Sequence, residues 1–328
     1  LLHPVYKLQL GSLSLDPESS DDLIDINVKL SMDSAPGNFQ GLVRKRDGEI
    51  GFAKNDPVSV SLGYNVNDNN ELTDVFAGTV DSFNLQSSNV RVTALSSFIK
   101  LYNLSVNRFY ENQTAGAIVK DLADSVGIEI ETVSDGIELP YYAVGGNKTA
   151  YENIIELAQI CGFDFYSTNE AKLVFKKHEA KEPHLLEYGK NIIRIRRVDQ
   201  SPSVDSVKVF GTSPSGSKGR DVSHWLTKKN IQGSSGDGSN QLLVQNKAIR
   251  SEDSAKKVAE AILNRMKSLV VIKVETIGNP KIMLGNTVKV QGVPEESLNG
   301  EFQVREIEHY LSKSDGFITM ALCRSIVQ

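Results

Sequence analysis

Two distant stretches of this chain carry the same spacing of apolar residues, and that repeat narrows the folds open to it. Val58-Ser-Val follows the polar turn Asn55-Asp-Pro, and Val288-Lys-Val follows Gly285-Asn-Thr. Val75, Ala77 and Val80 then match Phe302, Val304 and Ile307. At the same offset, Val90, Val92, Ala94 and Leu95 match Phe317, Thr319, Ala321 and Leu322. The loop between the last two strands has the same length in both copies. A slip of one residue turns every side chain of a strand to the opposite face, so a shared register says more than shared identities. The spacing predicts two related antiparallel β domains. Two unrelated antiparallel sheets are the competing reading. Short alternating runs such as Ile24-Asp-Ile-Asn-Val-Lys-Leu and Val58-Ser-Val-Ser-Leu support β structure from Ile24 to about Leu101, with Asn65 to Glu71 and Ser87-Ser88 as hairpin loops.

Between the copies the period changes from two to that of a helix. Ile118, Val119, Leu122, Ala123 and Val126 fall on one helical face, which Gly127 ends. A second helix follows, with Thr149 as N-cap, Glu152 at the capping-box position and Gly162 as its left-handed terminus. Each helix leads into a strand, Ile128-Glu-Ile-Glu and Phe163-Asp-Phe-Tyr. Thr114-Ala115, Leu122-Ala123 and Gly127 align with Thr149-Ala150, Leu157-Ala158 and Gly162, which suggests a duplicated helix-Gly-strand unit. The bland alternative is that any two capped amphipathic helices share such residues. The expected fold class is α+β, mainly β. Related β-barrel domains over 1–107 and 178–328 flank a small α/β domain over 108–177, with a long Ser/Gly-rich exposed loop over 213–240 and a helix over 253–268.

Composition decides what the chain is not. Hydrophobic residues make up 40% and charged residues 23%, as in ordinary globular proteins. A formal charge of -5 argues against a protein built to grip nucleic-acid phosphate or an anionic membrane. No stretch nears the roughly 18 apolar residues that span a bilayer, so stable membrane insertion is not expected. Residues 1–10 hold His3, Lys7 and Gln9 instead of a signal-peptide core, which points to a protein made in the cytoplasm. The first residue is Leu1 and not Met, so residues are expected upstream. Two cysteines, Cys161 and Cys323, are expected to be buried free thiols.

Catalysis needs convergent residues, and the sequence offers none that converge. His3, His178, His184, His224 and His309 lack partners at metal-binding or triad spacing. There is no Gly-x-Ser-x-Gly elbow, Walker loop or Gly-x-Gly-x-x-Gly turn. Gly216-Ser-Lys-Gly-Arg imitates a phosphate loop without the helix that should follow it. Asn65, Asn67 and Asn69 alternate like calcium ligands without the central Gly or the distant Glu. No catalytic residue, cofactor or metal is expected. Trp225, the only tryptophan, is either a plug beneath the loop or an aromatic anchor for a partner, with Lys228 and Lys229 at its rim.

Together these segments resemble the tail hub proteins of contractile phage tails and related injection machines, the phage late control D family. The resemblance spans roughly residues 5–327. It rests on Thr114-Ala-Gly-Ala-Ile-Val-Lys-Asp-Leu-Ala-Asp-Ser-Val-Gly, on Asn147-Lys-Thr-Ala-Tyr-Glu-Asn-Ile-Ile-Glu-Leu-Ala-Gln-Ile-Cys-Gly-Phe-Asp-Phe-Tyr, and on Leu298-Asn-Gly-Glu-Phe-Gln-Val-Arg-Glu-Ile-Glu-His-Tyr with Asp315-Gly-Phe-Ile-Thr. It implies a non-enzymatic homotrimer whose two barrels per chain form a ring of six. Such a ring adapts a hexameric tail tube to a trimeric spike protein, at the baseplate end of the machine and beside other baseplate proteins. The resemblance also implies a peripheral, LysM-like central domain. Several relatives continue into an oligosaccharide-binding fold and a β-helical needle, whereas this sequence stops at Gln328. That departure implies a spike on a separate chain or a shortened C-terminus. Two other readings stay open. A glycan-binding module would show exposed aromatics around Tyr141-Tyr142, and a hydrolase built from the 41 scattered carboxylates would show a concave site with perturbed carboxyl groups.

Overall fold

Alternating apolar residues build one large sheet. The computed structural model describes residues 3–18, 22–34, 36–45, 51–145, 147–198, 204–212, 230–266 and 270–326. The first repeat comprises β1 (His3–Leu10), β2 (Leu13–Leu15), β3 (Leu23–Ser31), β4 (Asn38–Arg44), β5 (Pro57–Val66), β6 (Asn69–Leu85) and β7 (Asn89–Leu95). In β3 the apolar positions Ile26, Val28 and Leu30 turn inward while Asn27 and Lys29 face outward, the period of two that a half-buried strand requires. The β5–β6 hairpin turns at Asn67 and Asp68, both at positive φ (51° and 61°), where Asn and Asp are tolerated and the hairpin twist is matched.

The central segment holds α1 (Ile99–Asn103), β8 (Arg108–Thr114), α2 (Ala115–Asp124), β9 (Ile130–Val133), β10 (Glu138–Val144), α3 (Ala150–Cys161), β11 (Asp164–Ser167) and β12 (Leu173–Lys176). Thr149 caps α3 through a full capping box with Glu152, and Gly162 closes it at φ 67°. α2 ends at Asp124, short of Val126, and Ser125 is its C-cap. Strands β9 and β11, which follow the two capped helices, flank β12 in one three-stranded sheet.

Beyond it come β13 (His184–Glu187), β14 (Ile192–Val198), β15 (Ser206–Phe210), β16 (Gln232–Gly236), β17 (Gln241–Gln245), α4 (Glu252–Met266), β18 (Val271–Ile277), β19 (Thr287–Gln291), β20 (Gly300–Ser312) and β21 (Gly316–Ser325). Part of the expected Ser/Gly-rich loop is therefore strand. β16 pairs antiparallel with β15 and lies against α4, where a Cβ on Gly233 would sit 2.2 Å from the Lys256 backbone nitrogen. Small residues there let a strand approach a helix backbone, a role that reads as loop composition in sequence.

The repeat is visible in the strand order. β3-β4-β7-β6-β5 and β14-β18-β21-β20-β19 run in the same order, every neighbouring pair antiparallel. Val80 faces Ala94 as Ile307 faces Ala321, the register the sequence spacing predicts. The first hairpin differs, because Val58 faces Gly78 whereas Val288 faces Phe302, the match of Val75. β19 is thus displaced along β20 relative to β5 on β6. A bulge at Val60/Ser61 accompanies that displacement.

The expected pair of closed barrels is replaced by a single sheet. β20 pairs with β3 from Glu306↔Ser31 to Ser312↔Asp25, so 13 strands join in one sheet whose main path runs from β14 to β2, and no closed barrel forms among the described residues. β20 is longer than its hairpin with β19 needs, and its second half would otherwise present unpaired backbone groups. One apolar core serves both repeats, including Phe39, Val60 and Val80 from the first and Val288, Phe302 and Ile307 from the second. A second core joins α2 and α3 to Val207 and Val209 of β15 and to Ala255, Val258, Ala259 and Leu263 of α4. Residues 178–328, grouped from sequence as one unit, therefore divide their apolar side chains between two cores.

Candidate assembly surfaces

The residues that could carry chemistry are occupied structurally. His309 is fully buried between strands, with Nδ1 3.0 Å from Thr319 Oγ1. Burial pushes its pKa down to about 4, so it is neutral. His184 Nε2 lies 3.2 Å from Asn286 Oδ1. His178 is half-buried and lowered by the same desolvation. Cys323 is a buried free thiol, while Cys161 is only partly buried. Among the described residues no group of three His, Cys, Asp or Glu side chains could hold a metal ion. Among those residues no helix is long and apolar enough to cross a membrane. Trp225, Lys228 and Lys229 lie outside the described residues, as does His224.

The strongest polar cluster binds parts of the fold together. A bulge between Val304 and Glu306 leaves Arg305 out of the β20–β21 ladder. Its side chain is 6% exposed. Arg305 Nε and Nη2 donate to Asp33 at 3.0 Å and 2.5 Å, and Nη1 donates to Asp164. Gln303 Nε2 donates to the other Asp164 oxygen at 2.6 Å, and Arg265 of α4 reaches Asp33 at 3.3 Å. One guanidinium thus ties together the turn after β3, strand β11 and, through Asp33, helix α4. Burial raises the Asp33 pKa, but hydrogen bonds and charge from Arg305, with Arg265 and Arg324 nearby, outweigh it and hold the carboxyl below its usual range. Arg324 is pushed down to about 10 by burial and by the two neighbouring guanidinium charges. Asp164, Arg265, Gln303, Arg305 and Arg324 border a cleft of about 400 Å³ between α4 and the sheet. Sequence reasoning missed this cluster because Asp33, Asp164 and Arg305 are far apart in the chain. An Arg at an inward-facing strand position was the available signal.

Two strand edges are covered along only part of their length. β14 pairs with β18 on one side; Ile192 also bridges Tyr188, and beyond Ile192 no second strand pairs with β14 among the described residues. β6 pairs with β5 only as far as Thr79; Val80 then bonds to Asn55 and Asp56, Phe52 packs on Phe83 at 5.6 Å, and among the described residues β7 is the one strand paired with Ser82 to Leu85. Both edges show large apolar side chains to solvent: Phe83 is 38%, Leu85 52% and Ile193 52% exposed. β14 adds three exposed arginines, Arg194, Arg196 and Arg197, and β6 adds exposed Asp81. Polar-apolar edges of this kind are templates for pairing with another chain. Elsewhere, Tyr142 is buried with its hydroxyl on Asn153, whereas Phe109 is 63% exposed and stacks on Tyr141 at 5.9 Å.

No family model and no curated protein sequence matches the chain. Solved structures do share its fold. The prophage MuSo2 43 kDa tail protein from Shewanella oneidensis superposes with a TM-score of 0.71 at 15% identity, over 97% of this chain and 98% of that one. A tail protein from Neisseria meningitidis MC58 gives 0.71 at 13% identity, over 98% of this chain and 97% of that one. The Escherichia coli c3393 protein is described as a component of the type VI secretion system similar in structure to the T4 bacteriophage tail proteins gp27 and gp5. It gives 0.61 at 12% identity, over 98% of this chain and 77% of that one. The fold is thus that of phage tail proteins.

Proposed function

We propose that this protein is the structural hub of a contractile tail or a related injection machine. In this reading it is a homotrimer that adapts a hexameric tail tube to a trimeric spike, with no catalysis of its own. It assembles in the cytoplasm and sits at the baseplate end of the machine. The observation that carries the reading is the duplicated strand order, β3-β4-β7-β6-β5 and β14-β18-β21-β20-β19, within one chain. Closed symmetry lets three chains meet six tube subunits only if each chain presents two equivalent surfaces. The likeness in fold to tail proteins along nearly the whole chain supports the same conclusion. The test is mass in solution by light scattering, with and without the neighbouring spike protein. A species near three times 36.0 kDa, alone or once spike is added, is expected. A monomer indifferent to spike and tube contradicts the reading.

A second reading, glycan binding by the central segment, draws on the exposed Phe109 ring beside Tyr141, since sugar rings stack on such faces. It predicts that chitin or peptidoglycan fragments shift the resonances of Phe109 and Tyr141. An unchanged spectrum removes it.

A further inference from the structure

The cluster around Arg305 holds more positive charge than its own carboxylates match. Three guanidiniums, Arg265, Arg305 and Arg324, meet two carboxylates, Asp33 and Asp164. Both acids are already committed. Asp33 accepts from Arg305 through both oxygens and from Arg265 through one, while Asp164 divides its oxygens between Arg305 and Gln303. Arg265 keeps only long contacts, 3.3 Å to Asp33 and 3.4 Å to the Phe163 carbonyl. Arg324 faces Gln303 across the β20–β21 ladder, and among the described residues its guanidinium has no hydrogen bond or ion pair.

A half-buried charge without a partner has lost part of its hydration and gained nothing in exchange. Burial and the two neighbouring guanidiniums lower the Arg324 pKa to about 10, and burial with the Arg305 charge lowers that of Arg265. Both arginines line the cleft of about 400 Å³ beside α4, so their unused donors are reachable from solvent. Lys177 and Lys257 line it as well. Lys257 is paired with Asp253 at 2.7 Å, whereas Lys177 is exposed. Glu260, also in the lining, offsets neither Arg265 nor Arg324. The wall further holds His178, whose Nε2 is buried with no hydrogen-bond partner among the described residues.

We infer that this cleft receives an acidic segment of a partner protein, seating one Asp or Glu carboxylate against Arg324 and Arg265. One carboxylate supplies the single charge that the three guanidiniums lack, and its two oxygens match the planar fork of a guanidinium. A free monocarboxylate gains too little here, because an ion pair open to water on one side is weakly held. The carboxylate is therefore one carried on a chain, and a cleft of this volume takes neighbouring side chains as well. The net charge of -5 works against acidic ligands elsewhere on the surface, which makes the cleft selective. These charges belong to one chain, so the site stands whether or not the protein is a hub.

Binding and stability together separate such a site from a merely structural arginine. Fluorescence anisotropy of the full chain with a labelled tetraglutamate peptide should show saturable binding that weakens as salt rises. The same label on tetraglutamine should not bind. Arg324→Gln should weaken the tetraglutamate complex by about tenfold or more. Lys7→Gln, at an exposed position of β1 in the first repeat, should leave it unchanged. Removing an arginine that holds the fold lowers the melting temperature. Arg324→Gln should instead melt no lower than the native chain, since it relieves repulsion among three like charges. Tetraglutamate that fails to bind, or binds native and Arg324→Gln chains equally, overturns the site, and so does a lower melting temperature for the variant. Inorganic phosphate that binds more tightly than tetraglutamate overturns the partner segment in favour of a small free anion.

Discussion

Acidification tests whether His309 is held as a neutral base in the shared core. The group is fully buried, and its pKa is lowered from 6.5 to about 4 by desolvation, only partly offset by the Ile282 backbone, which accepts from the ring and favours its protonated form. In the unfolded chain it recovers its ordinary value. Between those two values the unfolded state binds a proton that the folded state does not, so stability rises with pH there. The contribution is whole above pH 6.5 and drains away as pH falls toward 4. Going from about pH 7.5 to pH 5, this one group costs about 2 kcal/mol. Other groups titrate as well, so the measurement is a difference of differences. Urea unfolding of the native chain and of a His309→Gln variant is compared at both pH values, and the variant should lose about 2 kcal/mol less. Gln keeps a polar partner for Thr319, whose Oγ1 also accepts from the Asn279 backbone nitrogen at 2.8 Å. Equal losses in the two proteins, or a His309 pKa near 6.5 by NMR titration, would refute the reasoning.

Arg305→Ala leaves Asp164 buried without its guanidinium and should destabilise by about 3–5 kcal/mol in urea unfolding. Replacing Arg305 and Asp164 together with Met and Leu should recover much of that loss, since the pair's desolvation is then avoided. Gly63→Ala would place a Cβ 1.7 Å from the Glu71 carbonyl oxygen across the β5–β6 hairpin, and a thermal melt should show a loss of about 1–3 kcal/mol. Thr149→Ala removes the α3 cap and should cost about 1 kcal/mol, read as faster amide exchange at the start of that helix.

What sequence revealed was local. The Thr149 cap, the Gly162 terminus and the match of β6–β7 to β20–β21 depend on residues a few positions apart or on a turn of fixed length. These are the contacts that periodicity and turn chemistry encode. The β3–β20 junction is different, since Asn27 and Glu308, which hydrogen-bond at 2.7 Å, are 281 residues apart. Nothing in either strand names its partner, so two barrels were expected where one sheet formed. The displacement of β19 was hidden because Val58 and Val288 each follow a polar turn and are buried in both copies, and nothing in either hairpin's sequence marks which residue of the neighbouring strand they face. β16 was read as loop because its small residues serve the close approach to α4. The edge position of β14 is not legible in sequence, because Ile192-Ile-Arg-Ile-Arg-Arg-Val alternates like any strand and nothing in it says that β18 is its one partner strand among the described residues.

The central claim is that three chains present six equivalent five-strand runs, and stoichiometry tests it most directly. Native mass spectrometry of the purified protein bound to one ring of its tail tube protein should give three copies of this chain to six of the tube. A ratio of six to six, or three to three, would contradict the account.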